Sequence, residues 1–249
     1  MRLGDTEVAR VGLGTNRLTN TRANVEFVRA AVAAGVGMVD TAHLYTRGES
    51  EEAVGAALSP PPEGCVVATK GGYRSGRPDV LRAELDESLR RLRTERIALY
   101  YLHRADGDTP LEESLAVVEE YRQRGTVGLV GVSEVSIDQI ERARRVAPIA
   151  AVQNEYNLSE RRHDEVVDYC AEHGIAFVPY YPLAGDGGRV AEEIAERHGA
   201  TAAQIALAWL LRRSPEMLPI PGTLSIEHVK ENLAAAEIAL SDAEFELLG

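Results

Sequence analysis

Apolar residues along this chain fall into two alternating patterns: short continuous runs, and longer stretches in which they recur at helical spacing. The short runs are Val11–Thr15, Val36–Asp40, Cys65–Lys70, Ile97–Leu102, Val127–Gly131, Ala150–Gln153, Ile175–Tyr180 and Met217–Ile220, each of strand length. Between them, Val25, Val28 and Val32 mark one face of a helix over Arg22–Ala34, and Leu81, Leu85, Leu89 and Leu92 mark another. Further helices are predicted over Glu51–Leu58, Arg161–His173, Val190–His198, Thr201–Arg213 and Ile226–Ala235, with a short terminal helix after Ser241. Gly35 and Gly174 stand where helices should end, and Pro60-Pro61-Pro62 breaks the chain. Thr109-Pro110-Leu111-Glu112 predicts a helix start with Thr as cap and Pro at the first position. Ser136-Ile137-Asp138-Gln139 predicts a capping box, stapled by Val135 and Ile140. Gly4-Asp5 predicts the turn of an N-terminal hairpin.

Eight strands, each trailed by a helix, predict an α/β protein of the (β/α)8 barrel type, with the hairpin before it and the short helix after it. A doubly wound open sheet has similar elements but calls for a glycine-rich phosphate loop after the first strand. Gly12-Leu13-Gly14-Thr15-Asn16 lacks the third glycine of that loop. With no internal repeat and no low-complexity segment, the expectation is one domain over residues 1–249.

Composition narrows the function classes. The 45% hydrophobic and 27% charged content suits a soluble globular protein, and the net charge of −12 argues against nucleic acid or an anionic membrane surface as the partner. Cys65 and Cys170, far apart in apolar surroundings, indicate neither a disulfide framework nor a metal site. No apolar run follows the amino terminus and none is long enough to span a bilayer, so a cytoplasmic location is expected.

The chemistry concentrates at the carboxyl ends of the strands, the rim where barrel enzymes work. Asp40 and Tyr45 follow the second strand, Lys70 ends the third and His103 follows the fourth. Each alone suits an ordinary strand terminus, but neighbouring parallel strands bring all four within reach of one another. A carboxylate, a phenol and an ammonium together form an acid–base set, with the ammonium favouring the phenolate and so lowering a phenol pKa of about 10.

These residues carry a resemblance. Asp40-Thr41-Ala42 with Tyr45, Ser50-Glu51, Thr69-Lys70, Leu102-His103 with Asp106, Gly131-Val132-Ser133, Gln153-Asn154-Glu155-Tyr156-Asn157, Tyr180-Tyr181-Pro182-Leu183, and Ile220-Pro221-Gly222-Thr223 with His228 and Glu231-Asn232 match, in order, motifs of the aldo-keto reductases. The chain resembles that family over essentially its whole length. The resemblance implies reduction of an aldehyde or ketone by NADPH, with NADH a second option, and Tyr45 as general acid assisted by Lys70, Asp40 and His103. It implies that Ser133 and Gln153 hold the nicotinamide amide and that Tyr180 stacks on the ring. Gly14, Thr15, Asn16, Asp40, Tyr181, Pro182, Leu183 and Ile220 line the same path in this reading. Gly222, Thr223, Ser225 and His228 take phosphate, and Glu231 and Asn232 meet the adenine. The partner is a small carbonyl compound, and a monomer is the family's usual state.

Three departures stand out. Glu134 replaces an Asn common in the family, Tyr181 replaces the Ser of Y-S-P-L, and Gly222 and His228 stand where many members have Lys and Arg. The loop after Leu183 is short, which implies an open, shallow substrate site. A different class of function on the same barrel is a nicotinamide-binding redox sensor with little turnover. A lyase or hydrolase lacks support, since clustered metal ligands and a nucleophile elbow are both missing.

Overall fold

The computed structural model describes residues 1–104, 109–185 and 187–249. Asp106, named above, lies outside the described residues. The chain opens with an antiparallel hairpin of β1 (Arg2–Leu3) and β2 (Thr6–Glu7), in the predicted position. Seven parallel strands follow in sequential order: β3 (Leu13–Gly14), β4 (Met38–Asp40), β5 (Val66–Gly71), β6 (Ile97–Leu102), β7 (Val127–Ser133), β8 (Ile149–Gln153) and β9 (Ala176–Phe177). The helices are α1 (Arg22–Ala33), α2 (Glu49–Leu58), α3 (Pro78–Leu92), α4 (Leu111–Gln123), α5 (Ile137–Arg144), α6 (Asp164–His173), α7 (Gly188–His198), α8 (Ala202–Arg213), α9 (Ile226–Ala234) and α10 (Asp242–Leu248).

The segment expected as the eighth strand closes the barrel without forming a regular ladder. Leu218 donates to Phe177 on one side, while the carbonyls of Pro219 and Pro221 accept from Gly12 and Gly14 on the other. A full parallel ladder also needs donors at positions 219 and 221, and proline has none. The seam is therefore tied by half the usual bonds on its β3 side. Gly14 makes the approach close: a Cβ there would sit 2.8 Å from the Ile220 carbonyl oxygen.

Inside the barrel, Met38, Val66, Ala68, Leu99, Tyr101, Ala151, Ala176, Val178 and Leu218 form one buried cluster. A larger layer between sheet and helices contains the predicted helix faces, including Val28, Leu81, Leu85 and Leu92. This inner and outer division is the physical content of the barrel: strand residues alternate between the lumen and the helix-facing side. The capping box at Ser136 and Gln139 forms as predicted. The one predicted at Thr109 does not, because α4 starts at Leu111 with Pro110 extended (ψ 134°). Glu112 instead makes a two-pronged bond to Arg142, at 2.7 and 2.8 Å. Helix α6 also starts three residues later than Arg161, since Asn157 Oδ1 holds the Ser159 and Glu160 amides in a turn.

Arg10, just before β3, reaches under the barrel and donates to the carbonyls of Leu211 (2.7 Å), Ser214 (2.6 Å) and Met217 (3.4 Å). It thereby caps the carboxyl end of α8 and anchors the start of the closing segment. Arg10→Ala is expected to cost about 2 kcal/mol, from charge-assisted bonds lost to part-buried carbonyls. A lower denaturant midpoint at unchanged slope is the expected result, and an unshifted midpoint would show that the anchor is dispensable.

Candidate active site

Four rim groups named in the sequence come together at the carboxyl ends of β4, β5 and β6. Strand pairing sets this up, since Asp40 aligns with Ala68 and Lys70 with Tyr101 across neighbouring strands. Lys70, with no exposed surface, donates from Nζ to Asp40 Oδ1 (2.5 Å), to the Thr41 carbonyl (2.8 Å) and to the Tyr45 hydroxyl (3.2 Å). All three ammonium donors are thus used. Asp40 Oδ2 accepts from Gln153 Nε2 (3.0 Å), which extends the network across the lumen to β8. The His103 ring meets Tyr45 edge to face, with centroids 6.1 Å apart.

Burial and charge act against each other here. Burial pushes the Lys70 ammonium down, but Asp40 and Tyr45 outweigh it and leave the pKa above the ordinary lysine value. Burial pushes the Tyr45 phenol up, Lys70 pulls it back, and Asp40 adds to the rise. The net direction is upward from the ordinary 10.0, so the expectation of an acidified phenol is corrected. Lys70 limits the penalty that burial places on the phenolate without overcoming it. His103 is driven down to about 2, by burial first and then by the Lys70 and Arg104 charges, and is neutral at physiological pH. Its Nδ1 is buried with no hydrogen-bond partner among the described residues.

The backbone carrying Tyr45 is held under strain. Thr46 (φ 47°) and Arg47 (φ 58°) are left-handed, followed by Gly48 (φ 94°). Each non-glycine residue in that region costs roughly 1–2 kcal/mol. Offsetting contacts come from two sides. Thr46 Oγ1 donates to the Leu18 carbonyl (2.6 Å), and Arg91 donates to the His43 carbonyl (3.1 Å) while its guanidinium fills the space a Gly48 side chain would need. The Ser50-Glu51 motif braces the same loop. Ser50 joins Thr15 (2.8 Å) and Thr41 (2.7 Å) in a buried hydroxyl cluster, and Glu51 accepts from Thr69 (2.6 Å).

A cavity of about 370 Å³ opens beside Tyr45. Gly14, Thr15, Asn16, Asp40, Ser133, Gln153, Tyr180, Tyr181, Pro182, Leu183, Ile220 and Gly222, all predicted for the dinucleotide, line it. Ser133 donates to the Gln153 carbonyl (2.7 Å), and Gln153 is oriented by Asp40, which leaves the amide oxygen of Gln153 free to accept. Thr223, Ser225, His228, Glu231 and Asn232 are not among its lining residues; they belong to the loop after Gly222 and to α9. Ser225 caps α9 and donates to Glu227 Oε2 (2.8 Å), and Thr223 meets His228 Nδ1 (3.3 Å). Leu224, between Thr223 and Ser225, is 51% exposed.

Several lining residues were not picked out from sequence: Arg17, Leu44, Tyr73, Arg104, Pro221 and Ala184. Tyr73 packs edge-on to His103 (ring centroids 4.9 Å apart), and the Arg104 guanidinium lies over the Tyr73 ring, 4.9 Å from its centroid. The one available signal was an aromatic residue shortly after a strand-end lysine. Glu134, at the position of the family's Asn, is left-handed (φ 55°), a conformation that Asn tolerates better. Its carboxylate accepts from the Glu155 amide (3.0 Å) and lies 3.7 Å from Arg162; burial first, and then this carboxylate, push the Tyr180 phenol pKa up. Asn154 pins the same turn by accepting from Val135 N and donating to Val135 O, at 3.1 and 2.8 Å. Tyr181 is also left-handed (φ 51°), 56% exposed, and edge-on to Tyr180 at 5.1 Å.

Fold and site together define a parallel α/β barrel with a buried carboxylate–ammonium–phenol network at its carboxyl-end mouth. The model of the Aldo/keto reductase family matches residues 10–191 and 185–248. This chain belongs to that family, whose members are oxidoreductases. Pyridoxine 4-dehydrogenase of Escherichia coli is 35% identical over 267 residues, covering 96% of this chain and 93% of its own. The crystal structure of an aldo/keto reductase from Klebsiella pneumoniae, in complex with NADP and acetate, is similar at TM-score 0.86 and 31% identity. It covers 97% of this chain and 90% of that one. A glycerol dehydrogenase from Gluconobacter oxydans is similar at TM-score 0.91 and 28% identity, over 100% of this chain and 92% of that one. No helix among the described residues is long and apolar enough to cross a membrane.

The ion pair yields a stability test. Lys70→Met leaves the Asp40 carboxylate, 1% exposed, without its counter-charge, a loss of about 3–5 kcal/mol. Adding Asp40→Asn removes the stranded charge, so the double variant should unfold at higher denaturant than the single one. Equal midpoints for Lys70→Met and the parent would show that the pair contributes nothing.

Proposed function

We propose that this chain reduces an aldehyde or ketone to the alcohol with NADPH as the reductant, in a single (β/α)8 domain. The observation that carries the reading is Lys70 Nζ bonded at once to Asp40 and to the Tyr45 hydroxyl, with His103 beside the phenol. When bound, the reduced nicotinamide supplies hydride to the carbonyl carbon. Everything else falls to the side chains. Tyr45, protonated at neutral pH because its pKa lies above 10.0, donates its proton to the carbonyl oxygen. Lys70 then stabilises the charge left on the phenol oxygen, and Asp40 keeps Lys70 charged and in place. His103, neutral, donates a hydrogen bond that orients the carbonyl and stabilises the charge developing on its oxygen.

Ser133 and Gln153 are the groups proposed for the nicotinamide amide, with Tyr180 stacked on the ring. The residues fit a dinucleotide in kind: an open groove along the seam, free amide acceptors, and a helix N-terminus at α9 for phosphate. A relative solved with NADP supports the choice of NADPH. Glu227, bonded to Ser225, adds a negative charge near the proposed phosphate position, which keeps NADH as a second reductant. Dissociation constants for both decide between them. The redox-sensor alternative has no observation in its favour.

Tyr45→Phe is expected to lower kcat for carbonyl reduction by ~10²–10⁴ while the Kd for NADPH changes little. Undiminished turnover would remove Tyr45 from the acid role. The pH profile gives a separate check. With His103 neutral above about 2 and Tyr45 protonated until beyond 10.0, kcat/KM for reduction should be flat from pH 5 to 8 and fall only at strongly alkaline pH. A break near pH 6.5 would mean that His103 titrates in the working range.

A further inference from the structure

We propose that the carbonyl substrate carries an oxyanion, a carboxylate or phosphate, which Arg47 and Arg74 bind; the inference rests on the reductase reading above. A second cavity, of about 390 Å³, lies next to the first and shares Leu44, Tyr73 and His103 with it. Lys70 reaches its wall, so it opens onto the same proton-donating network. None of the residues proposed for the dinucleotide lines it. Whatever occupies it beside His103 is therefore the part of the substrate that extends away from the reacting carbonyl.

The charges in this second cavity divide into two sets. His43 is engaged by Glu87 (2.9 Å) and lies 3.7 Å from Glu84, whose other oxygen accepts from the Gly72 amide at 2.6 Å. Arg91 is paired with Glu87 (2.9 Å) and with buried Glu51 (3.4 Å). Arg47 and Arg74 are exposed and have no carboxylate partner among the described residues. In a chain of net charge −12, these two guanidiniums line the cavity with no carboxylate among the described residues beside them to offset their charge. The backbone adds weight. Arg47 sits in the strained left-handed turn directly after Tyr45, and that turn is what presents it to the cavity. A planar guanidinium fork matches a carboxylate or phosphate edge, and like-signed charge on a cleft raises the local concentration of an anion.

Matched pairs of aldehydes test this: 4-carboxybenzaldehyde against 4-methylbenzaldehyde, and glyceraldehyde 3-phosphate against glyceraldehyde. The expected result is kcat/KM at least tenfold higher for one or both anionic members at low salt, with the ratio shrinking as salt rises. In Arg47→Gln/Arg74→Gln the ratio should fall towards one; both side chains are at the surface, so folding is not at stake. Reduction of the neutral aldehydes reports on the reductase reading by itself. If they are reduced and neither anionic partner is preferred, the oxyanion site is overturned and the reductase reading stands. If nothing is reduced, equilibrium binding of 4-carboxybenzyl alcohol still decides. Binding that the double variant loses at least tenfold supports the site, and binding equal to that of 4-methylbenzyl alcohol overturns it.

Discussion

The ion pair between Lys70 and Asp40 is the interaction on which the rest of the site depends. It joins the ends of two adjacent strands in a place with almost no solvent, where a lone charge would be several kcal/mol too expensive to keep. Asp40 therefore stabilises the charged form of Lys70. The spare capacity of each is committed too: the lysine to Thr41 and Tyr45, the carboxylate to Gln153. One pair thus orients a phenol on the β4 rim and an amide at the end of β8.

Around that pair, the polar motifs serve as scaffolding for loops whose conformations are unfavourable by themselves. Left-handed Thr46 and Glu134 have neighbours that offset the strain, in the Leu18 carbonyl and the Glu155 amide, and Arg91 ties the Tyr45 loop through the His43 carbonyl. Ser50, Glu51 and Asn154 contact no proposed substrate atom, yet they fix the loops that bear Tyr45 and Glu134. Their burial explains why such residue types are needed: an apolar replacement would leave several backbone and hydroxyl groups without partners.

The electrostatics separate two roles that residue type alone leaves merged. Tyr45 and His103 are both titratable, but the same low-dielectric setting drives them in opposite directions, the phenol up and the imidazole down. Each is held in its neutral form across the physiological range. A neutral phenol can give a proton, and a neutral imidazole can give a hydrogen bond without giving the proton away.

By itself, the sequence determined the order and kind of the elements, because hydrophobic spacing in each segment is a local property tied to strand or helix period. It also determined which residues stand at the strand ends, Asp40, Tyr45, Lys70 and His103 among them, since parallel alternation puts every strand's carboxyl end on one rim. Only the tertiary structure decided what depends on groups distant in the chain. The upward shift of Tyr45 is a balance of enclosure against one ammonium, and no spacing encodes enclosure. The loose closing strand follows from Pro219 and Pro221 facing β3, and Glu112 gave up its cap for Arg142 from another helix. Tyr73, Arg74 and Arg104 sit in loops, where sequence period says nothing about direction, so their place on the cavity walls emerged only once the barrel had closed.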